Sequence, residues 1–308
     1  MEYLLTYGWA ILIMLGAIAA LFTLGLFSTG TLAPKAQPGN CQIQRPDGPG
    51  TTFLVSPAGL CAGEQPNFVA TFTNTVIAYA PKSRPINSAW NGGSWTIVAW
   101  VRVDSMTGTP NNKFIAEETL GCTSGLWVNP DGSIGVQFQT IEWYGGNAIN
   151  PCASAGGVGI TSSVIVPYGT WAMATAEFQY GSQAGNYVTV CTNTVCTSQA
   201  WGTPPHGPDD YANYSYDWAF GSGSCCGSPN LVLDLSNLQL YNTALTQTQI
   251  NEIYSYGIGG VPPYLQNLVG WWPLNGQLTD YSNEGGNATA SGSITYTNAW
   301  SNGYTVLG

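Results

Sequence analysis

Carboxylates, thiols and imidazoles are the side chains with which most proteins do chemistry, and here they are few and scattered. The 308-residue chain carries 16 Asp+Glu, 6 Lys+Arg, one His and 8 Cys. A retaining glycosidase needs two carboxyl groups about 5–5.5 Å apart across a cleft. On a strand that means acids at i and i+2 on one face. No predicted strand holds such a pair. Glu117 and Glu118 are adjacent, so they would point to opposite faces. Asp209 and Asp210 fall in the loop HGPDDY, and His206 stands alone among Pro204, Pro205 and Gly207. No glycine-rich phosphate loop follows a strand. The pattern predicts a protein without catalytic residues, and a surface glycoside hydrolase is the weaker alternative. The stretch TDYSNEGGNATASG offers Asp280, Asn283 and backbone carbonyls to a calcium ion. Calcium takes about six to eight oxygens, and only one or two acids are on offer. A structured turn is expected there, and neither a metal nor a cofactor is predicted.

The eight cysteines are Cys41, Cys61, Cys122, Cys152, Cys191, Cys196, Cys225 and Cys226. No CxxC occurs and there is one His, so a zinc site is disfavoured. An even set suits disulfides in an oxidising compartment. VTVCTNTVC reads as a hairpin that would set Cys191 opposite Cys196. A provisional pairing ties Cys41 to Cys61 and leaves Cys122 and Cys152 for Cys225 and Cys226, one of many connectivities that eight cysteines allow.

The surface that must surround these residues is unusual. Charged residues make up 7% of the chain, against roughly 25% in ordinary soluble proteins. Neutral polar side chains replace them, so hydration changes little with pH or salt, as an extracellular surface requires. The net charge is -10. Six cations cannot neutralise a phosphate backbone, which excludes nucleic acid as a partner, and no basic stripe exists to meet an anionic membrane. Two sequons, at Asn213 and Asn287, mark glycosylation candidates. The 12 Trp and 17 Tyr are expected mainly in the core and in subunit contacts, although DDYANYSYDWAF offers rings on which sugars could stack.

Three segments would position these groups. Residues 1–30 form a hydrophobic helix, headed by Glu2 and then free of charge until Lys35. Its uncharged core, residues 3–27, would extend about 38 Å as a helix, enough to cross a bilayer. Hydropathy alone favours a plain membrane anchor. Residues 31–50 are rich in Pro, Gly and small polar residues, a linker composition. Residues 51–308 read as short strands separated by turns, hence an all-β sandwich or jelly roll. SWTIVAWVRV, TWAMATAEFQY, NYVTVCTN and LVLDLSNLQLY are strands. LWVNPDGSIGVQFQ is a hairpin around a type I turn from Asn129 to Gly132. In LTQTQINEIYSYG, Thr246 and Gln249 predict a capping box, Ile250, Ile253 and Tyr254 an apolar face, and Gly257 a stop. NLVGWWPLNG is a further strand.

SWTIVAWVRVDSMTG, VPYGTWAMATAEF and LSNLQLYNTALTQTQINEIYSYG together resemble laminin-G-like, concanavalin-A-like sandwich domains. LVGWWPLNGQLTDYSNEGGNATASG is similar to a stretch that such domains carry at their start. Here it follows the closing helix, which implies a permuted domain in preference to a truncated second copy.

MEYLLTYGWAIL followed by an uncharged helix resembles archaeal type IV pilins. In that family a peptidase cuts just before the helix, after a short basic leader. The resemblance implies that the chain begins at or near the mature end, with Glu2 in the role of the family's acidic residue. A carboxylate buried among apolar helices costs several kcal/mol unless paired, so a neighbour's N-terminal ammonium is its expected partner. The helix dipole adds about 0.3–1 kcal/mol. Tyr3, Tyr7 and Trp9 have polar tips suited to packed helices, and Gly16 and Ala20 give a small-xxx-small spacing for close approach. The expectation is an extracellular cell-surface filament whose subunits sit in the membrane before assembly and then pack against copies of themselves, in an open helical array. The sandwich would serve adhesion or glycan binding on other cells or surfaces. A membrane-anchored lectin-like protein that never polymerises is the alternative, and an archaellin is a further one.

Overall fold

The computed structural model describes residues 13–15, 66–73, 76–81, 94–107, 113–118, 124–138, 143–144, 147–148, 158–179, 186–201, 218–223, 230–282, 286–298 and 303–304. In chain order the strands are β1 (Val69–Thr73), β2 (Ile77–Ala80), β3 (Trp95–Thr107), β4 (Lys113–Glu118), β5 (Ser124–Val128), β6 (Ser133–Phe138), β7 (Trp143–Tyr144), β8 (Asn147–Ala148) and β9 (Val158–Ile165). They continue as β10 (Trp171–Gln179), β11 (Asn186–Thr192), β12 (Val195–Trp201), β13 (Trp218–Gly223), β14 (Asn230–Tyr241), β15 (Leu268–Trp272), β16 (Thr289–Ala290) and β17 (Thr295–Thr297). A helix, α1 (Gln247–Tyr256), lies between β14 and β15.

The strands form a two-sheet β-sandwich. The first sheet runs β12-β11-β10-β3-β14-β1-β17, with β15 also paired to β14. The second runs β16-β2-β13-β4-β5-β6-β9, and β7 and β8 make a separate small ribbon. All pairings are antiparallel, so hairpins and bulges set the register. Between the sheets lies the main core. Trp95, Ile97, Ala99 and Val101 of β3, with Phe178, Leu233 and Leu235, meet Ile115, Leu126, Val136 and Phe220 from the second sheet.

The first sheet is apolar on both faces, which explains the unbroken run WTIVAWV in β3. Val98, Trp100, Met173 and Tyr241 point outward and are covered by Leu245, Ile250 and Ile253 around α1. Trp100 stacks on Tyr254 at 5.6 Å between ring centroids. Each such large side chain contributes about 1.5–3 kcal/mol by leaving water. The helix begins as its sequence predicts. The Thr246 backbone N–H donates to Gln249 Oε1 at 2.8 Å and the Gln249 N–H returns to Thr246 Oγ1 at 3.4 Å, closing the capping box. Gly257 ends it at φ 79°.

The stretch after the closing helix belongs to the same sandwich. β15 pairs with β14, β16 with β2 in the second sheet, and β17 with β1 in the first. Trp272 of β15 sits in the main core.

Of the expected N-terminal helix, only Ile13, Met14 and Leu15 are described; they are helical, and all three side chains are exposed. The remainder of residues 1–30 and the linker at 31–50 lie outside the described residues. No helix among the described residues is long and apolar enough to cross a membrane.

Candidate functional site

Two turns meet at one end of the sandwich and bring polar and aromatic side chains together at the surface. The first is the predicted turn between β5 and β6. Gly132 N donates to Asn129 O at 2.9 Å, and Asn129 N to Ser133 O at 2.9 Å. The second, Pro167–Tyr168–Gly169–Thr170, joins β9 to β10 and closes through Thr170 N to Pro167 O at 3.1 Å. Gly169 has φ +78°, as the third position of a type II turn demands.

The turns are fastened to each other. Val166 N donates to Gly132 O at 3.1 Å. Gly132 itself has φ +86°, and a Cβ there would stand 2.1 Å from Val166 O. Only glycine permits both the backbone angle and that approach. The Tyr168 hydroxyl then donates to Pro130 O at 2.8 Å. The ring is thereby held from both ends while 42% of the residue remains exposed. Ile165, 60% exposed, precedes it on β9.

Beside the ring lies Asp131. Its Oδ1 accepts from Ser133 N at 2.9 Å and from Ser133 Oγ at 2.5 Å. These bonds hold its carboxyl below the usual carboxylate range, so it stays ionised. Asp131 is exposed. Its charge, together with partial burial, raises the Tyr168 hydroxyl, burial having the larger effect. Asn129 Nδ2 donates to Ser133 Oγ at 3.0 Å and lies 3.5 Å from Thr161 Oγ1. The result is a fixed, exposed aromatic ring beside an ionised carboxylate, an amide and hydroxyls. Such a set can stack on the CH groups of a sugar and hydrogen-bond its hydroxyls.

A second polar group lies next to this one on the outer face of the first sheet. Gly169 N donates to Val103 O at 2.8 Å, which sets the β9–β10 turn beside Asp104. Arg102 grips Asp104 through Nε at 2.9 Å and Nη2 at 3.2 Å, and pairs with buried Asp234 at 2.6 Å. Its guanidinium also lies 5.7 Å from the Trp171 ring centroid. Asp234 accepts from Thr71 Oγ1 at 2.5 Å. Burial raises its carboxyl against the opposing pull of Thr71 and Arg102.

The residues singled out in the sequence fall as follows. Cys191 and Cys196 are joined by a disulfide across the β11–β12 hairpin, directly opposite each other in register. Cys41, Cys61, Cys122, Cys152, Cys225 and Cys226 lie outside the described residues, as do Glu2, Tyr3, Tyr7, Trp9, Gly16, Ala20, His206, Asp209, Asp210, Asn213 and Asn283. Glu117 and Glu118 close β4.

Asp280 is a hub of its own loop. Oδ1 accepts from Trp271 N and Ser282 N, both at 2.8 Å, while Oδ2 accepts from Ser282 Oγ at 2.8 Å and Gly286 N at 2.9 Å. Those four bonds use the lone pairs that a calcium ion would need, and the carboxylate serves as a structural knot. No cluster of three metal-ligating side chains occurs among the described residues. Asn287 is exposed, and its Oδ1 accepts from Asp280 N at 3.1 Å. Trp95, Trp100, Trp127, Trp171, Trp218, Trp271 and Trp272 are all buried, in line with the expectation that most aromatics pack the interior.

Comparison with solved structures places this architecture among known folds. A Bacteroides ovatus protein described as a candidate carbohydrate-binding protein superposes with a TM-score of 0.54 at 16% identity, over 76% of this chain and 60% of that one. The likeness shows the fold. This chain therefore spans somewhat less than two thirds of that structure. A heptameric SAP-like pentraxin from Limulus polyphemus is similar at a TM-score of 0.43 and 12% identity, over 75% of this chain and 94% of that one. The sialidase of Trypanosoma rangeli is similar at 0.41 and 15%, over 62% of this chain and 28% of that one. No family model and no curated protein matches the sequence.

Sequence reasoning missed the platform. NPDG and PYG were both visible, but as turns. Their union depends on Gly132 and Val166, 34 positions apart, and no local pattern encodes that contact.

Proposed function

We propose that the chain is a structural subunit of an extracellular filament of the archaeal type IV pilus kind, with a laminin-G-like, permuted sandwich head that binds glycans. The filament half of this reading rests on residues 1–30. Glu2 is the sole charge before Lys35, an arrangement that suits self-packing helices in register. The glycan half rests on one observation, the exposed Tyr168 ring pinned beside the ionised Asp131. A surface poor in charge is also suited to display outside a cell.

Each half has its own test. Calorimetric titration of the full chain with neutral oligosaccharides should show saturable binding. Tyr168→Ala should weaken it at least about tenfold, a loss of roughly 1.4 kcal/mol. Binding untouched by that change would remove the platform from the reading. Electron cryo-microscopy of material sheared from cells making the chain should show residues 1–27 bundled at a filament axis with sandwiches outside. A chain that stays with membranes and enters no filament would instead be an anchored binding protein.

A further inference from the structure

We propose that Asn287 is an acceptor for an N-linked glycan. This goes beyond the filament and glycan-binding readings and rests on one part of them, the export of the chain. The motif is Asn287-Ala288-Thr289. Asn287 and Thr289 are both exposed, while Ala288 between them is 7% exposed and packs in the main core. That alternation is the one of extended chain entering β16, so the amide and the hydroxyl share the solvent-facing side. The backbone around them is fastened. Gly286 N donates to Asp280 Oδ2 at 2.9 Å, Ala288 N to Leu278 O at 2.9 Å and Ser291 N to Ile77 O at 2.8 Å. Asp280 N then donates to Asn287 Oδ1 at 3.1 Å. This bond engages the oxygen of the amide. Nδ2, the atom that would carry the sugar, is the opposite branch of an exposed side chain. β16 ends the described order of the second sheet, and β2, β13 and β4 separate it from β5. A glycan on Asn287 therefore starts roughly 19 Å of sheet away from the Asn129–Gly132 turn, clear of the Tyr168 ring. The reaction joins Nδ2 to C1 of a sugar carried on a lipid phosphate. The bond from C1 to the phosphate oxygen breaks, the lipid phosphate leaves, and one Nδ2 proton passes to a base of the transferase.

The test is mass spectrometry of the full chain collected from the surface of the cells that make it. Peptides holding Asn287 should be heavier by the mass of a sugar chain, and fragmentation should leave the added mass on Asn287. Asn287→Gln and Thr289→Ala should each abolish the addition, and Thr289→Ser should retain it. Thr289→Ala leaves the bond from Asp280 N to Asn287 in place, so a loss there reports the motif and not the fold. The measurement on the unaltered chain stands even if a variant folds poorly. An unmodified Asn287 in exported chain overturns the assignment while leaving the extracellular reading intact. A sugar found on Thr289 instead, or one that survives Thr289→Ala, overturns it equally. Chain found only inside the cell overturns the extracellular reading, and the acceptor falls with it.

Discussion

Glu177 is a carboxyl set where ionisation is costly. It faces outward from β10, opposite Thr96 and Thr189 in register. It is 9% exposed and makes no hydrogen bond among the described residues. Burial pushes it up to about 7. The protonated form is therefore the one that the fold favours. Its contribution to stability is fully present below the carboxyl's unfolded value, near 4.5, and is lost as pH rises through about 7. Urea unfolding should show the domain less stable at pH 8 than at pH 4.5 by up to about 3 kcal/mol from this group. Glu177→Gln should flatten that slope and raise stability at pH 8. An unchanged slope would mean that the carboxyl finds solvent or a partner. Asp131, in a turn of the other sheet, is shifted in the opposite sense because hydrogen bonds to its charged form outweigh burial. Environment, rather than residue type, separates the two.

At the scale of elements, the turns and the helix carry different burdens, and two substitutions separate them. Gly132→Ala would put a methyl group 2.1 Å from Val166 O at φ +86°, so the two turns must part. Glycan binding should fall with it, and stability should drop by more than about 1 kcal/mol. Thr246→Ala removes a cap on α1 and should cost about 1 kcal/mol, with no change in glycan affinity. Denaturant midpoints and titrations on both variants check this. The elements themselves were largely legible. Apolar runs rich in β-branched and aromatic residues, bounded by turn chemistry, marked β3, β10, β11 and β14. Thr246, Gln249 and Gly257 marked both ends of α1, because a capping box is local chemistry. The Asn129–Gly132 turn was equally plain. The outward core around Trp100 was not, since a strand buried on both faces has no period to read. The platform was not legible either, because Tyr168 reaches Pro130 across 38 positions. At Asp280 the sequence suggested a structured turn over a calcium loop, but composition alone could not show which donors its oxygens take. An acid among glycines and asparagines has the same composition whether its oxygens take a cation or four backbone and hydroxyl donors.

At the scale of the molecule, the last strands complete both layers. β15 brings Trp272 into the main core, while β16 and β17 finish an edge of each sheet. Deletion of residues 268–308 should therefore leave no cooperative unfolding transition, as followed by near-ultraviolet circular dichroism. A truncated head that still unfolds sharply would show that the C-terminal strands merely decorate a finished core. The filament reading also belongs here. An axial bundle of N-terminal segments would place the sandwich outside, and with it the turn-built platform.

The pairing of β1 with β17 joins Thr71 to Thr295. A ribosome delivers the first of these long before the second. The sandwich cannot close while its chain is still being made, because one border strand of each layer has yet to emerge. Closure of so distant a contact is also slow in its own right. Until β17 arrives, β1 presents an unpaired edge, and the last residues to be made set the moment when both layers close.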